Sequence, residues 1–331
     1  MKFDGRAYSA DGSWRALPGD SAVEAALAHV SDAGTSEHDF VWLGIEDPDH
    51  ERFTEIADRF NLHALAVEDV MTVRHPPKLQ WLDDHLFMVL WTLDATADGD
   101  VEVSEIDVVV SPGLIMTVSH STSTQWFTET LDTAPNPMTN GPMGALIAIL
   151  RRVVSGYTEL GRQIEDRIEA LEVQVFDATV VDDMALVYRL SRNIGKVDRA
   201  VATLHSDLAE NRDYLLTRLA ESSSQDLLPY VYDVVGDLAA VDNLTGMQAA
   251  ALSTVIGTHE NTISMRLNND TRQISAIAAL LAIPAVVVGF WSMAFTYVPL
   301  ANVRWGWWLI IAVILVLEVT AYVALRRRSW L

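Results

Sequence analysis

The chain of 331 residues contains no cysteine, which excludes disulfide scaffolds, thiolate metal sites and cysteine nucleophiles. Any bound metal must rest on oxygen or imidazole ligands. Lysine is nearly absent as well: Lys2, Lys78 and Lys196 are the only three, and all 23 basic residues face 45 acids. The resulting net charge of −22 repels nucleic acid and favours counter-cations, although solubility or a salt-adapted cytoplasm accounts for the bulk acidity equally well. No N-terminal stretch has the basic start and apolar core of a secretory leader, so the N-terminus is expected in the cytoplasm. No nucleophile constellation, phosphate-cradling glycine loop or His-x-x-x-His spacing is present, so no enzyme is expected. The acidic stretch "EDPDHE" (Glu46 to Glu51) reads as a solvated loop rather than a metal site.

Charge is unevenly spread. Residues 1–145 hold 25 acids against 7 bases, residues 146–272 hold 19 against 12, and residues 273–331 hold 1 against 4. From Gln273 to Val303 there is no Asp, Glu, Lys or Arg, and "WGWWLIIAVILVLEVTAYVAL" (Trp305 to Leu325) carries one acid, Glu318. Each stretch reaches the roughly 20 apolar residues that cross a hydrocarbon core. Joined by the short link "TYVPLANVR", they predict a hairpin in the lipid bilayer. Three arginines in the terminal "RRRSWL", against Arg304 alone in the link, place both chain ends in the cytoplasm. Trp291, Trp305, Trp307 and Trp308 gather at one boundary as an interfacial aromatic belt.

The N-terminal part reads as α/β. Strands are predicted at Phe40–Ile45, His85–Leu93, Glu102–Val110 and Leu114–Ser119, where branched and aromatic residues alternate with breakers. Short helical patterns lie between, in "ERFTEIADRF" and "LAVEDV". The dense breaker "PNPMTNGPMG" (Pro135 to Gly144) marks a domain boundary. Beyond it, Leu150, Val153, Tyr157, Leu160, Ile164, Ile168, Leu171 and Val175 recur in steps of three and four, which predicts a helix of about 30 residues. A second helix is expected from Asp182 to about Ala220. A third should begin near Pro229 and run about 60 residues, roughly 90 Å, to Trp291. Such a helix can couple a cytoplasmic event to the membrane or serve as a passive stalk.

Along its membrane part, Asn268, Thr271, Ser275, Ala278, Ala282, Ala285, Gly289 and Ser292 form a stripe of small or polar residues. Close helix packing explains such a stripe. A narrow face turned to a central pore explains it too, and that reading requires a symmetric oligomer, because two spans per chain enclose no pathway.

With the long helix, the Met-containing aromatic motif "GFWSMAF", the following "FTYVP", the Trp/Gly cluster and the basic ending, the chain resembles the CorA family of divalent-cation (magnesium/cobalt) channels along nearly its whole length. "FNLHALAVEDVMTVRHPPKLQ" (Phe60 to Gln80) is similar to that family's helix with Glu-Asp and a nearby Pro-Lys. The resemblance implies an α+β chain in a homopentameric funnel in the cell (inner) membrane. Its parts would be a cytoplasmic α/β domain (1–142), a helical stalk (143–272), a pore-lining first span (273–295), an extracytoplasmic loop (296–304), a second span (305–325) and a basic cytoplasmic tail (326–331). It further implies that Glu68 and Asp69 bind a regulatory divalent cation with Asp233 of a neighbouring copy, and that Asn268 lines the inner pore mouth. The cation would be Mg²⁺, with Zn²⁺, Co²⁺ or Ni²⁺ as alternatives.

At the selectivity motif the chain departs from that family. Where the family places Gly-Met-Asn, this sequence has Ser292, Met293 and Ala294, and the acid that follows the loop proline is replaced by Leu300. An alanine methyl cannot accept a hydrogen bond from ion-bound water. The implied function is thus a cation channel or transporter with altered or relaxed selectivity. Two alternatives are a non-conducting metal-responsive sensor of the same fold and a proton-coupled zinc transporter using Glu318, an acid within a span.

Overall fold

The computed structural model describes residues 1–17, 19–31, 38–120, 124–133, 140–175, 184–221, 225–291 and 305–328. Their packing divides them into two units, Met1–Ser253 and Thr254–Leu331.

The first unit opens with β1 (Lys2–Tyr8), β2 (Trp14–Ala16), α1 (Ser21–Ser31), β3 (Phe40–Glu46), α2 (His50–Arg59) and α3 (Ala64–Thr72). Then come β4 (Lys78–Leu82), β5 (His85–Ala95), β6 (Val101–Ser111), β7 (Leu114–Ser119), α4 (Thr124–Asp132), α5 (Gly141–Val175) and α6 (Met184–Glu221). After a short 3-10 turn, α7 runs from Leu228 to Trp291 and continues into the second unit, which also holds α8 (Gly306–Arg327). All four predicted strands are present, each extended by no more than two residues at an end. α6 and α7 begin and end within about two residues of the expected bounds. α5 starts earlier than its apolar stripe, because Gly141 to Gly144 of the predicted breaker already belong to it.

The seven strands form one mixed sheet in the order β2-β1-β3-β7-β6-β5-β4, antiparallel throughout except for the parallel pair β3 and β7. Strands alternate their side chains between two faces. On one face Val41, Leu43, Ile45, Phe87, Val89, Val109, Met116 and Val118 pack with residues of α1, α2 and α3 into a single cluster. On the other, Leu79 and Met88 meet Leu146, Ile147 and Leu150 of α5 together with Leu208, Leu215 and Val231. The Tyr157 hydroxyl of α5 donates to the carbonyl of Trp91 at 2.5 Å, and complete burial pushes that phenol far above its ordinary range. Both faces are thus covered, so a polar side chain on a central strand has no route to water.

The turn between β5 and β6 is clamped by basic and amide side chains. Arg167 and Asn193 donate to the carbonyl of Gly99, Arg192 pairs with Asp100 at 2.9 Å, and Lys196 donates to the carbonyl of Val101. One of the three lysines is spent here. The clamp ties α5 and α6 to the far end of the two longest strands.

In the second unit α7 and α8 are long and apolar enough to cross a membrane. Pro284 lies inside α7, where a neighbouring helix or a local adjustment can answer the freed carbonyl. Ala276 is buried and Leu280, Ile283, Pro284 and Val287 are half-buried, one stripe at steps of three and four. α8 carries its own half-buried stripe: Ile310, Ile314, Glu318, Ala321 and Leu325.

Candidate functional site

Helix α3 carries two of the acids singled out from sequence. His63 caps it, its Nδ1 accepting from the Leu65 amide at 3.1 Å. Its end is forced: Val73 and Arg74 stand at φ 44° and 80°, in the left-handed region that branched and long side chains avoid. This reversal brings the Arg74 amide onto Glu105 Oε2 at 2.6 Å and lays His75 beside β6. The carbonyl of His75 then accepts from the Trp91 indole at 2.8 Å.

Glu68 and Asp69 are neighbours in sequence but face different surroundings. Glu68 is exposed. Asp69 is turned inward: Lys78 Nζ donates to its Oδ2 at 2.5 Å, and His75 Nε2 stands 3.3 Å from Oδ1. Asp233 lies on α7, paired with Arg151 at 3.4 Å and half exposed. Within one copy, then, Asp69 and Asp233 each have a basic partner, while Glu68 remains on the surface.

Beneath α3 lies a group that sequence reasoning missed. Lys78, Val89, Asp107, Val118 and Ile45 are register partners in turn across five strands, so Asp107 sits in a row of buried valine and isoleucine. Asp107 has no exposed surface, and neither of its carboxylate oxygens has a hydrogen-bond partner. Burial pushes its carboxyl well above the ordinary range, the negative charges of Glu105 and Asp69 push in the same direction, and Lys78 opposes them. Burial also raises Glu105, against the Arg74 amide that lowers it. The signal was present in "EIDVVV", an acid inside an apolar run on a strand buried on both faces.

On α7 the residues Asn268, Thr271, Ser275, Ala278, Ala282, Ala285 and Gly289 are all exposed, and Thr271 returns its hydroxyl to the Leu267 carbonyl at 2.7 Å. At about 100° per residue, the stripe from Ala278 to Gly289 points away from the half-buried stripe through Ala276, Leu280, Ile283 and Val287. Glu318, by contrast, belongs to the half-buried stripe of α8 and not to its exposed faces. The motif Ser292, Met293 and Ala294, the loop 296–304 and the last three residues of the tail lie outside the described residues.

The family model described as "CorA-like Mg2+ transporter protein" matches residues 37–327. The cobalt/magnesium transport protein CorA of Thermotoga maritima is 20% identical over 290 residues, which cover 83% of this chain and 79% of that protein. Among solved structures, the CorA magnesium transporter of Methanocaldococcus jannaschii superposes with a TM-score of 0.73 at 17% identity, covering 100% of this chain and 99% of the other. The full-length CmaX protein gives 0.74 at 14% identity, with 98% and 96% covered. The structural likeness extends through both units, which supports one fold over the whole length. The chain belongs to the CorA-like Mg²⁺ transporter family, whose members move ions and are not enzymes.

Proposed function

We propose that the chain is a homopentameric channel or transporter for divalent metal cations in the cell (inner) membrane, with both termini cytoplasmic and with altered or relaxed selectivity. The carrying observation is the placement of the small stripe on α7, exposed and turned away from the half-buried stripe of the same helix. Five such faces around an axis make a narrow, weakly polar pathway, while large apolar neighbours such as Leu281 and Val288 flank it. Cytoplasmic gating uses Glu68 and Asp69 with Asp233 of the partner subunit. A hard divalent cation between facing carboxylates draws copies together, and its loss lets them repel. Since Asp69 is held by Lys78 and Asp233 by Arg151 within the copy, exposed Glu68 is the first acid available to an incoming ion.

The test is flux of Mg²⁺, Co²⁺, Ni²⁺ and Zn²⁺ into liposomes holding the purified full chain, with chelator on the cytoplasmic side. Passage of one or more of these ions, suppressed by millimolar cytoplasmic Mg²⁺, supports the reading. No flux of any, together with metal-dependent rearrangement of subunits, favours the non-conducting sensor, for which the replaced Gly-Met-Asn speaks. Zinc uptake driven by a pH gradient and uncoupled by Glu318→Gln favours proton-coupled transport, to which the half-buried setting of Glu318 lends itself.

A further inference from the structure

Within the first unit, the region beneath α3 gathers four buried polar atoms without a hydrogen-bond partner: both carboxylate oxygens of Asp107, Oε1 of Glu105 and Nδ1 of His75. His75 Nδ1 and Glu105 Oε1 face each other at 3.9 Å, too far for a hydrogen bond. Two donor atoms that share an ion of zinc or cobalt size, each about 2.1 Å from it, stand roughly 3–4 Å apart. The Asp69 carboxylate 3.3 Å from Nε2 draws the proton of a neutral imidazole to that nitrogen. Nδ1 is then left as a lone pair pointed at a carboxylate. This carboxylate–imidazole arrangement is the one that orients a histidine for metal ligation. Meanwhile Lys78 neutralises Asp69, so Glu105 and Asp107 are the two carboxylates whose charge a divalent ion would cancel.

We infer that each copy holds an internal site for a borderline first-row divalent cation, with His75 Nδ1, Glu105 Oε1 and the Asp107 carboxylate as ligands and Asp69 orienting the imidazole. Glu105 and Asp107 are two apart on β6 and point to the same sheet face, about 7 Å apart along the strand, a span that one ion bridges when both side chains lean toward it. Among the described residues no three such side chains already converge on one ion position, so the Asp107 carboxylate must turn to complete the shell. Entry is from the outer edge of the cluster, where His75 and Lys78 keep 25% and 20% of their side chains exposed. One imidazole among carboxylates selects Co²⁺, Ni²⁺ or Zn²⁺ over Mg²⁺. The ligand set differs in kind from that of the proposed gating acids, whose donors are all oxygen; Asp69 is common to both, a ligand there and the partner that orients His75 here. The site also differs in place, since it is complete within one copy. Occupancy would fix the strained turn at Val73 and Arg74 and therefore the end of the helix that carries Glu68.

The experiment uses the full chain in detergent, stripped with chelator and given one equivalent of Zn²⁺ per copy for X-ray absorption, and Co²⁺ for titration. The expected spectrum contains one imidazole nitrogen beside carboxylate oxygens, and His75→Gln removes the imidazole signal. Asp107→Asn should weaken Co²⁺ binding by about tenfold or more. Lys78→Met should do the reverse and tighten Co²⁺ about tenfold, because it removes a competing charge while leaving every ligand in place. Lys78→Met retains His75, Glu105 and Asp107 and so reports on the site even where Asp107→Asn fails to fold. An all-oxygen shell, unchanged affinity in Asp107→Asn, or unchanged or weaker binding in Lys78→Met overturns the site.

Discussion

Met1–Ser253 and Thr254–Leu331 dispose of their apolar side chains in opposite ways. In the first, Trp42, Phe53, Phe87 and Tyr157 are wholly buried between a sheet and its covering helices. In the second, Val255 and Ala276 are the buried hydrophobic residues among those described, while Leu281 is 69% exposed and Ile274 68%. The first unit therefore has a core of its own. The exposed apolar faces of the second suit a lipid surrounding, where packing and not water exclusion holds helices together. Stability and ion handling should accordingly answer to mutations in different units.

Phe87→Ala gives the largest separation between them. Removing a fully buried ring from the cluster under α1 to α3 should cost about 3–5 kcal/mol. The same truncation of an exposed residue, Leu281→Ala, should leave the unfolding transition of the first unit where it was. Thermal unfolding of the full chain in detergent, followed by circular dichroism, checks both. Equal losses would break the comparison, because they would mean that the second unit carries an internal core.

Asp107→Val tests a fully buried, unpartnered carboxyl in the sheet face. Its neighbours across the register are Val89 and Val118, so valine continues an existing apolar row. With metal chelated at pH 7.5, removal of a buried, unpartnered carboxyl should stabilise the chain by about 1–3 kcal/mol. The native carboxyl is held well above its ordinary range, so the unfolded chain gives up its proton at a lower pH than the folded one does. Stability from this group is fullest below the unfolded value, near pH 4, and is lost as pH rises toward the folded value. The benefit of valine should therefore shrink as pH falls toward the ordinary carboxylate range. Unfolding midpoints measured from pH 4 to 8 in chelator give the sign. A loss of stability in the valine variant at neutral pH would show that Asp107 has a partner in solution.

How far each region could be read from sequence follows from the same contrast. Strands at Phe40, His85 and Leu114 announce themselves as apolar runs buried on both faces, and the strand from Val101 by its branched residues despite the acids among them. The polar-rich "KFDGRAY" of β1 and the short β2 do not, because β2 is an exposed edge strand and β1 lies between it and β3. Helix α1 has an alanine-rich pattern without a caps-and-period signature strong enough to isolate it. The first long helix is legible from its period, the last from Pro229 and the run without a strong breaker, and the two spans from the absence of charge. Glu68 and Asp69 were visible as a motif, yet their divergence was not. Nothing in "VEDV" says that one carboxylate faces water and the other Lys78; that is set by the tertiary fold, which brings Lys78 at the start of β4 onto Asp69. Asp107 stands out only in the register of five strands, which the run "EIDVVV" by itself does not give.

In the second unit a single polar substitution should alter the ion and hardly touch stability. Ala294→Asn restores the amide that the resembled family carries at this position, next to Met293 and Phe295, which are already in place. An alanine methyl offers bound water nothing, while an amide oxygen accepts one hydrogen bond from the ion's hydration shell. Such a bond contributes about 1 kcal/mol net, so preference for Mg²⁺ over Co²⁺ or Zn²⁺ should rise about fivefold in the liposome flux assay. The unfolding midpoint should stay unchanged, as with Leu281→Ala. Serine at the same position separates hydrogen bonding from amide shape: Ala294→Ser supplies an acceptor of shorter reach and should give a smaller gain in the same direction. If both variants pass ions in the native ratio, position 294 does not meet the ion, and selectivity has moved inward to Asn268, Thr271 and Ser275 on α7. If the midpoint falls instead, the residue packs against another part of the membrane unit, and the division between a unit that folds and a unit that selects does not hold.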